Sequence, residues 1–307
     1  MGPAAGELSY SNGKGRVLMI RVCLVGVGKT GSEAAKFLLE QDNIRLVAAI
    51  CSPGSPKTGK DLGEVIGCRD TGIAVEGSDR LEEMVFRTKP DVVLDFSRPE
   101  ATVRNAAIFS RMRVNMVIAT TGFSRFSLKR LVALTKKHHN AIVYAPNITL
   151  GVNVMMLLSN IASSILNTYD FQVNEEHHNK KKDIPSGTAL KIAGEIEKGL
   201  ASSGAGRNGS VPIHAVRAGG IVGRHEVLIA GEEDMLEISH QSFSRKAFAA
   251  GALRAVRFIY KKTGYYEMSD VLNLSGILAN YVENDKKRTA ARGSVLLERR
   301  TEQAETV

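Results

Sequence analysis

The sequence predicts an α/β protein in two successive parts, a parallel sheet covered by helices and a smaller α+β domain with an open mixed sheet. From about residue 21 to residue 148, apolar strand-like runs alternate with segments of helical spacing, which is typical of a parallel sheet buried on both faces. The pattern changes after Asn147, where a long apolar helix is followed by strands and further helices.

The strand-like runs of the first part are short, apolar and separated by helical segments, the first of which places Ala34, Ala35 and Leu38 on one face. These runs span residues 21–25, 44–50, 91–97, 114–123 and 141–147. The second part is predicted to contain helices at 150–166, 183–200 and 248–261, and strands within 169–178, 211–231 and 235–243.

The composition is that of a folded protein, because 43% of the 307 residues are hydrophobic and 24% are charged, which excludes disorder as the main state. No apolar run is long enough to span a membrane, and the N-terminal segment lacks a secretory signal, so we expect residues 1–20 to be a flexible leader. Cys23, Cys51 and Cys68 show neither paired nor metal-ligand spacing, which indicates a reduced, cytoplasmic protein without a metal site.

The net charge of +9 raises the question of a nucleic-acid partner, but residues 1–21 and 284–307 each contribute +2 of it. The remaining charge suits anionic small molecules at least as well as a polyphosphate. The chain shows neither zinc-finger spacing nor a basic strip interleaved with aromatic residues. We therefore expect a small-molecule substrate and neither a nucleic-acid nor a membrane partner.

A glycine-rich turn follows the first predicted strand and precedes the first predicted helix. Gly26, Gly28 and Gly31 have the G-x-G-x-x-G spacing that lets the backbone approach a pyrophosphate at a helix N-terminus. The motif alone is weak, but its position between strand and helix favours a Rossmann-like dinucleotide-binding domain over a simple tight turn.

The end of the second strand indicates which dinucleotide is preferred. A site for NAD usually carries a carboxylate there, whereas this chain offers Ser52, Lys57 and Lys60 before the first acid, Asp61. Hydroxyls and lysines would receive a 2′-phosphate that a carboxylate would repel, and Lys29 adds a further cation. We therefore predict NADPH as the preferred cofactor, with NADH possible; the alternative is that these lysines are merely solvated.

The run EEHHNKKKDIPSGTAL, residues 175–190, combines two candidate features. Ser186, Gly187 and Thr188 begin a predicted helix, where unpaired amides and two hydroxyls can hold a carboxylate, although Ser186 would also cap that helix without any ligand. Upstream, two histidines and Lys181 form a cationic cluster that suits an anion. From the residues alone, a solvated charge run is an equally good interpretation.

The pattern HH-x-x-K-x-D-x-P-S-G-T, residues 177–188, closely resembles the signature of the dihydrodipicolinate reductase family. The resemblance extends from about residue 21 to residue 274, because further segments are similar to family segments and occur in the family's order. These segments are residues 95–102, 119–123, 145–156, 216–227 and 264–274.

The resemblance implies reduction of 4-hydroxy-tetrahydrodipicolinate to tetrahydrodipicolinate by hydride transfer from NAD(P)H with loss of water, in lysine and diaminopimelate biosynthesis. It also implies that His177 is the general acid and that Lys181 stabilises the negative charge that develops on the ring. Such a pair lowers the barrier to hydride addition. The implied substrate-binding residues are His178, Ser186, Gly187, Thr188 and Thr121.

The resemblance assigns cofactor-binding residues as well. The phosphates would contact Gly26, Gly28, Lys29 and Gly31, and the nicotinamide pocket would be lined by Phe96, Ser97, Thr121, Ala145 and Asn147. The residues at the end of the second strand add Ser52 and Lys57 as candidates for the 2′-phosphate.

The resemblance further implies a domain order and a homotetramer assembled through the sheet of the substrate domain. After the leader, residues 21–148 would form the dinucleotide-binding domain and residues 149–257 the substrate-binding and oligomerisation domain. Residues 258–281 would return to the first domain, and residues 282–307 would form a charged tail.

Some residues depart from the family pattern, and they keep alternatives open. The first glycine turn is one residue tighter than usual, Ala119 stands where glycine is common, and Ile184 stands where alanine is common. An NADPH-dependent reductase of another cyclic imine or amino-acid-derived acid is therefore the alternative enzyme. A nucleotide-sensing or nucleic-acid-binding protein is the non-enzymatic alternative, supported by the net charge.

Overall fold

Two β-sheets, one parallel and one mixed, organise the computed structural model, which describes residues 11–12, 16–204 and 210–288. The chain divides into two compact units, residues 1–268 and residues 269–307. The larger unit contains both sheets and a short antiparallel pair, β1 (Ser11–Asn12) and β2 (Arg16–Val17). Most of the predicted leader, residues 1–20, thus lies outside the described residues. The first strand of the parallel sheet begins at Ile20.

The first half of the larger unit alternates strands with helices, as the sequence predicts. Its elements are β3 (Ile20–Val25), α1 (Lys29–Leu39), β4 (Ile44–Cys51), α2 (Leu62–Ile66), β5 (Val75–Gly77), α3 (Leu81–Thr88), β6 (Val92–Asp95), α4 (Pro99–Arg111), β7 (Asn115–Ile118), α5 (Arg125–His138) and β8 (Ala141–Tyr144). Every residue of β6, β7 and β8 is buried, as expected for strands covered on both faces.

The remaining elements include the second sheet and a late strand. They are α6 (Leu150–Ile165), β9 (Asp170–His177), α7 (Gly187–Ser202), β10 (Ile213–Arg217), β11 (Arg224–Ala230), β12 (Met235–Gln241), α8 (Lys246–Ile259), β13 (Gly264–Glu267) and α9 (Met268–Val271). Buried and partly exposed residues alternate along β9 and β11, because one face of this sheet packs against apolar residues of α6 and α7.

The strand orders define where ligands can bind. The seven-stranded sheet has the order β13-β8-β7-β6-β3-β4-β5, and all of its pairs are parallel. The chain moves outward from β3 in one direction and then continues from β6 in the other. A crevice therefore opens at the carboxyl ends of β3 and β6, which is the usual ligand position in such sheets. The predicted Rossmann-like fold is confirmed.

The second sheet has the order β10-β9-β11-β12, in which β9 and β10 are parallel and the other pairs are antiparallel. The prediction of an open mixed sheet is therefore confirmed. Strand β13 follows the second sheet along the chain but belongs to the first sheet, where it pairs in parallel with β8 at the edge.

The smaller unit is described over residues 269–288, of which residues 274–288 are helical. Ile277, Tyr281 and Val282 are exposed on this helix. The rest of the predicted charged tail, residues 289–307, lies outside the described residues. Among the helices that are described, we find none with the length and apolar character that crossing a bilayer requires.

Candidate active site

A cavity of about 550 Å³ lies at the crevice of the first sheet and extends to the end of β9 in the second. Gly28, Phe96 and Thr121 line it on the side of the parallel sheet, whereas His177 and Lys181 line it on the other side. The two candidate motifs of the sequence, which are about 150 residues apart, therefore face one space.

The glycine turn after β3 is shaped for close backbone approach. Gly26 has a φ of +89°, and a Cβ built on it would lie 2.7 Å from the carbonyl carbon of Phe96. A Cβ on Gly31 would lie 2.0 Å from the carbonyl oxygen of Gly26. Gly28 is the N-cap residue of α1, and no side chain of the described residues caps this helix. The first amides of α1 are therefore free to bind a pyrophosphate. These residues fit a dinucleotide.

The residues at the end of β4 lie outside the lining of the cavity. Ser52 is exposed, and the Lys57 ammonium donates a hydrogen bond to the carbonyl of Val27 in the glycine turn. Asp61, the first acid after β4, accepts from the amide of Gly63 at 2.6 Å and from that of Thr71 at 3.0 Å. Its carboxylate is thus engaged within its own loop, while Lys57 extends toward the turn.

A buried carboxyl group fixes the loop after β6. Asp95 is fully buried and accepts from the amide of Ser97 at 2.7 Å, and the Ser97 hydroxyl lies 3.2 Å from that of Thr102. Burial raises the pKa of Asp95. Phe96 and Ser97 line the cavity together with Asn147, whereas the predicted Ala145 is buried behind it.

The start of α7 contributes one of its three predicted residues to the cavity surface. Thr188 lines the cavity and donates to the side-chain carbonyl of Asn147 at 2.7 Å. Ser186 is only 1% exposed, and its hydroxyl accepts from the amide of Ala189 at 3.2 Å as a helix cap. Ser186 and Gly187 lie outside the lining, so their contact with a substrate carboxylate stays a prediction.

The charged residues of the signature surround the other end of the cavity. His177, His178 and Lys181 all line it, and the Lys181 ammonium forms an ion pair with Asp183 at 2.8 Å. Burial, followed by the positive charge of Arg245, lowers the pKa of His178. The neutral form of His178 is therefore favoured beside the cationic groups.

A cluster of ionisable groups is packed beneath His177. The Glu175 carboxylate is 3.2 Å from His177 Nδ1 and accepts from Arg217 Nη2 at 2.9 Å and from the amide of Ser186 at 2.8 Å. Burial alone would raise the pKa of Glu175, but the contacts with His177, Ser186 and Arg217 outweigh it and hold the pKa well below its usual range. Glu175 is therefore an anion in the folded protein.

His225 packs against the other side of His177, with ring centroids 5.1 Å apart and an interplanar angle of 72°. Burial, followed by the charge of His177, lowers the pKa of His225 to about 3. His225 and His240 both line the cavity. They lie opposite each other in the register of β11 and β12, which the sequence could not show.

Other lining residues were not predicted. Arg245 and Phe248 at the start of α8 and Val222 before β11 complete the surface on the second-sheet side. The sequence analysis also did not predict a role for Glu175. Its position two residues before His177 could have indicated one, because both side chains then lie on the same face of β9.

The crevice at the glycine turn fits a dinucleotide, and it opens onto His177, Lys181 and the start of α7. These features define a Rossmann-type oxidoreductase that uses a nicotinamide dinucleotide. Residues 20–148 match the model of the N-terminus of dihydrodipicolinate reductase, and residues 151–272 match that of its C-terminus. The chain belongs to the dihydrodipicolinate reductase family.

Relatives match along most of their length. The 4-hydroxy-tetrahydrodipicolinate reductase of Methanocaldococcus jannaschii is 36% identical over 272 residues, which cover 84% of this chain and 99% of the relative. That of Methanothermobacter thermautotrophicus is 38% identical over 273 residues, covering 84% of this chain and all of the relative. A dipicolinate-bound dihydrodipicolinate reductase from Paenisporosarcina sp. TG-14 is similar in structure, with a TM-score of 0.68, 27% identity and coverage of 81% of this chain and 98% of that one.

The depressed pKa of His225 predicts a pH-dependent stability. At pH values between the pKa of His225 in the folded protein and the ordinary pKa of histidine, the unfolded chain binds a proton that the folded protein does not. The free energy of unfolding therefore falls as the pH falls. Urea titrations between about pH 7 and about pH 5 should show the parent losing about 1–2 kcal/mol more than a His225→Asn variant. His214→Asn, an exposed histidine on β10, is the matched control and should behave as the parent does. Equal slopes for parent and His225→Asn would contradict the account.

Proposed function

We propose that the chain reduces 4-hydroxy-tetrahydrodipicolinate to tetrahydrodipicolinate, with hydride from a nicotinamide dinucleotide and loss of water, in lysine and diaminopimelate biosynthesis. Membership of the family supports this activity. The observation that carries it is the shared cavity, which places His177 and Lys181 opposite the loop of Phe96 and Ser97. A substrate and a nicotinamide bound in that space would be in contact.

We assign the proton and charge chemistry to the signature residues. When bound, the nicotinamide supplies the hydride. His177 serves as the general acid that donates a proton to the substrate, and the Lys181 ammonium stabilises negative charge that develops on the ring. The pairing of Lys181 with Asp183 keeps the ammonium at the cavity edge. The lost hydroxyl departs with a proton as water.

We assign the substrate carboxylates to the start of α7 and its neighbours. His178, Thr188 and Thr121 line the cavity and can each donate a hydrogen bond. The α7 N-terminus adds a favourable field for an anion, to which Gly187 contributes through its amide, whereas the amide of Ser186 is bound to Glu175 and leaves only its hydroxyl for a substrate. The positive charges of Lys181 and Arg245 complement a dicarboxylate.

NADPH is the cofactor that we propose as preferred, with the phosphates at Gly26, Gly28, Lys29 and Gly31 and the nicotinamide near Asn147 and Ala145. Two features support this preference. Lys57 already extends to the glycine turn, and the nearest acid, Asp61, is engaged in its own loop. A 2′-phosphate beside Ser52 and Lys57 would therefore meet a hydroxyl and a cation rather than a carboxylate.

We further propose a cytoplasmic homotetramer assembled through the second sheet, with residues 21–148 and 258–281 forming the dinucleotide-binding domain. Exposed apolar residues on β12, Met235 and Leu236, support an interface at this sheet. The pairing of β13 with β8 supports the return of the chain to the first domain. Three free thiols, of Cys23, Cys51 and Cys68, suit a reducing compartment.

The role of His177 predicts a selective loss of turnover. His177→Gln should lower kcat about 10²- to 10⁴-fold, because the substrate loses its proton donor, while NADPH affinity is retained. The measurement is the loss of NADPH absorbance with freshly prepared 4-hydroxy-tetrahydrodipicolinate, with His214→Gln as the control for loss of an exposed histidine. Turnover of His177→Gln at the parent rate would refute the assignment of the acid. Absence of turnover by the parent would refute the proposed substrate.

The cofactor preference predicts that one lysine discriminates between the two dinucleotides. Lys57→Met should raise the KM for NADPH about tenfold and leave the KM for NADH nearly unchanged, because a charge-assisted contact to the 2′-phosphate is lost. Lys36→Met, which removes a surface cation paired with Glu33 on α1, is the control. Parallel changes in both KM values, or a parent that prefers NADH, would show that Lys57 does not recognise the phosphate.

A further inference from the structure

We propose that Glu175 is a positioning residue for the reaction: its buried carboxylate accepts a hydrogen bond from Nδ1 of His177 and so holds the imidazole in one orientation. This inference rests on the proposed role of His177 as the general acid. The sequence signature begins at His177, so the glutamate that precedes it by two residues enters through the structure.

The geometry places a fixed anion against the ring. Glu175 is 1% exposed, and its Oε1 atom is held by the amide of Ser186 at 2.8 Å and by Arg217 Nη2 at 2.9 Å. Two elements other than its own strand therefore fix the carboxylate. Its second oxygen, Oε2, points to His177 Nδ1 at 3.2 Å.

That second oxygen and the ring nitrogen are both buried, and neither has a well-aligned hydrogen-bond partner among the residues that the structure describes. Unpaired buried polar atoms are costly, so two of them 3.2 Å apart gain by pairing with each other. Nδ1 is within hydrogen-bonding distance of Oε2, so a proton on Nδ1 can be donated to the carboxylate. The other ring nitrogen, Nε2, lies on the side of Gly223, which lines the cavity.

Among the described residues around His177, Glu175 offers the acceptor for the Nδ1 proton. Arg217 on β10 and Lys181 in the loop after β9 are cations, which cannot accept a hydrogen bond. The ring of His225 on β11 packs against that of His177, with centroids 5.1 Å apart. With Nδ1–H directed at Glu175, Nε2 is the nitrogen left on the cavity side to donate a proton.

The same atoms raise the question of a metal ion, because Glu175, His177 and His225 each offer a ligand atom within 4.8 Å of the others. The Arg217 guanidinium is bound to that carboxylate at 2.9 Å, and a dication beside it would meet strong repulsion. We therefore favour a proton over a metal, and the test below separates the two.

The first measurement is ¹⁵N NMR of imidazole-labelled protein, which reports which ring nitrogen of His177 carries the proton, with the resonance assigned from the spectrum of His177→Gln. The parent should show the proton on Nδ1, and Glu175→Gln, which keeps the size of the side chain and removes its charge, should lose that preference. Glu176→Gln is the matched control, because Glu176 is the next residue on β9 and pairs with Arg224 instead. An unchanged tautomer in Glu175→Gln would overturn the proposal, whether or not the protein turns over the proposed substrate.

The second measurement compares kcat with KM. Glu175→Gln should lower kcat about tenfold and change KM little, because a loosely held ring donates its proton less efficiently. Glu175→Asp, which keeps the charge, should restore part of kcat and guards against a folding defect. Equal losses of kcat in Glu175→Gln and Glu175→Asp would indicate a merely structural role. Loss of parent activity with a chelator and its recovery with Zn²⁺ would establish the metal instead.

Discussion

The buried carboxylate of Glu175 is the constraint on which the rest of the site depends. Burying an anion is expensive unless it is fully paired, and here the amide of Ser186, the guanidinium of Arg217 and the ring of His177 share that role. These three partners come from the start of α7, from β10 and from the end of β9. A single side chain thereby contacts the beginning of α7, the neighbouring strand β10 and the histidine that lines the cavity.

The second requirement of the chemistry is contact between two ligands that are bound by different sheets. The strand order of the first sheet opens a crevice at β3 and β6, and the end of β9 borders the same cavity. The hydrogen bond from Thr188 to Asn147 links the start of α7 to the loop after β8. This contact fixes the start of α7 against the loop after β8, and hydride transfer over a short distance requires such fixed positions.

Local patterns predicted much of the fold, because strand runs, helix spacing and the glycine turn depend on neighbouring residues. Gly31 is explained by its contact with Gly26 inside one βα turn, whereas Gly26 approaches Phe96 in the loop after β6; the spacing of the glycines identified both. The cluster beneath His177 could not be predicted in this way. Arg217 and His225 reach Glu175 only through the pairing of β9 with β10 and β11, and the sequence does not specify that register. Ser186 illustrates an open alternative: the structure shows its hydroxyl as a helix cap, and its contact with a substrate stays a prediction.

Hydride transfer from the nicotinamide to a cyclic dicarboxylate inside this cavity is the step that we propose. It can be followed by supplying the parent protein with NADPH deuterated at both C4 positions and with 4-hydroxy-tetrahydrodipicolinate, and then examining the product by mass spectrometry. We expect tetrahydrodipicolinate that carries a single deuterium on carbon. Cofactor oxidation without deuterium in the product would contradict it, because the hydride would then have gone elsewhere.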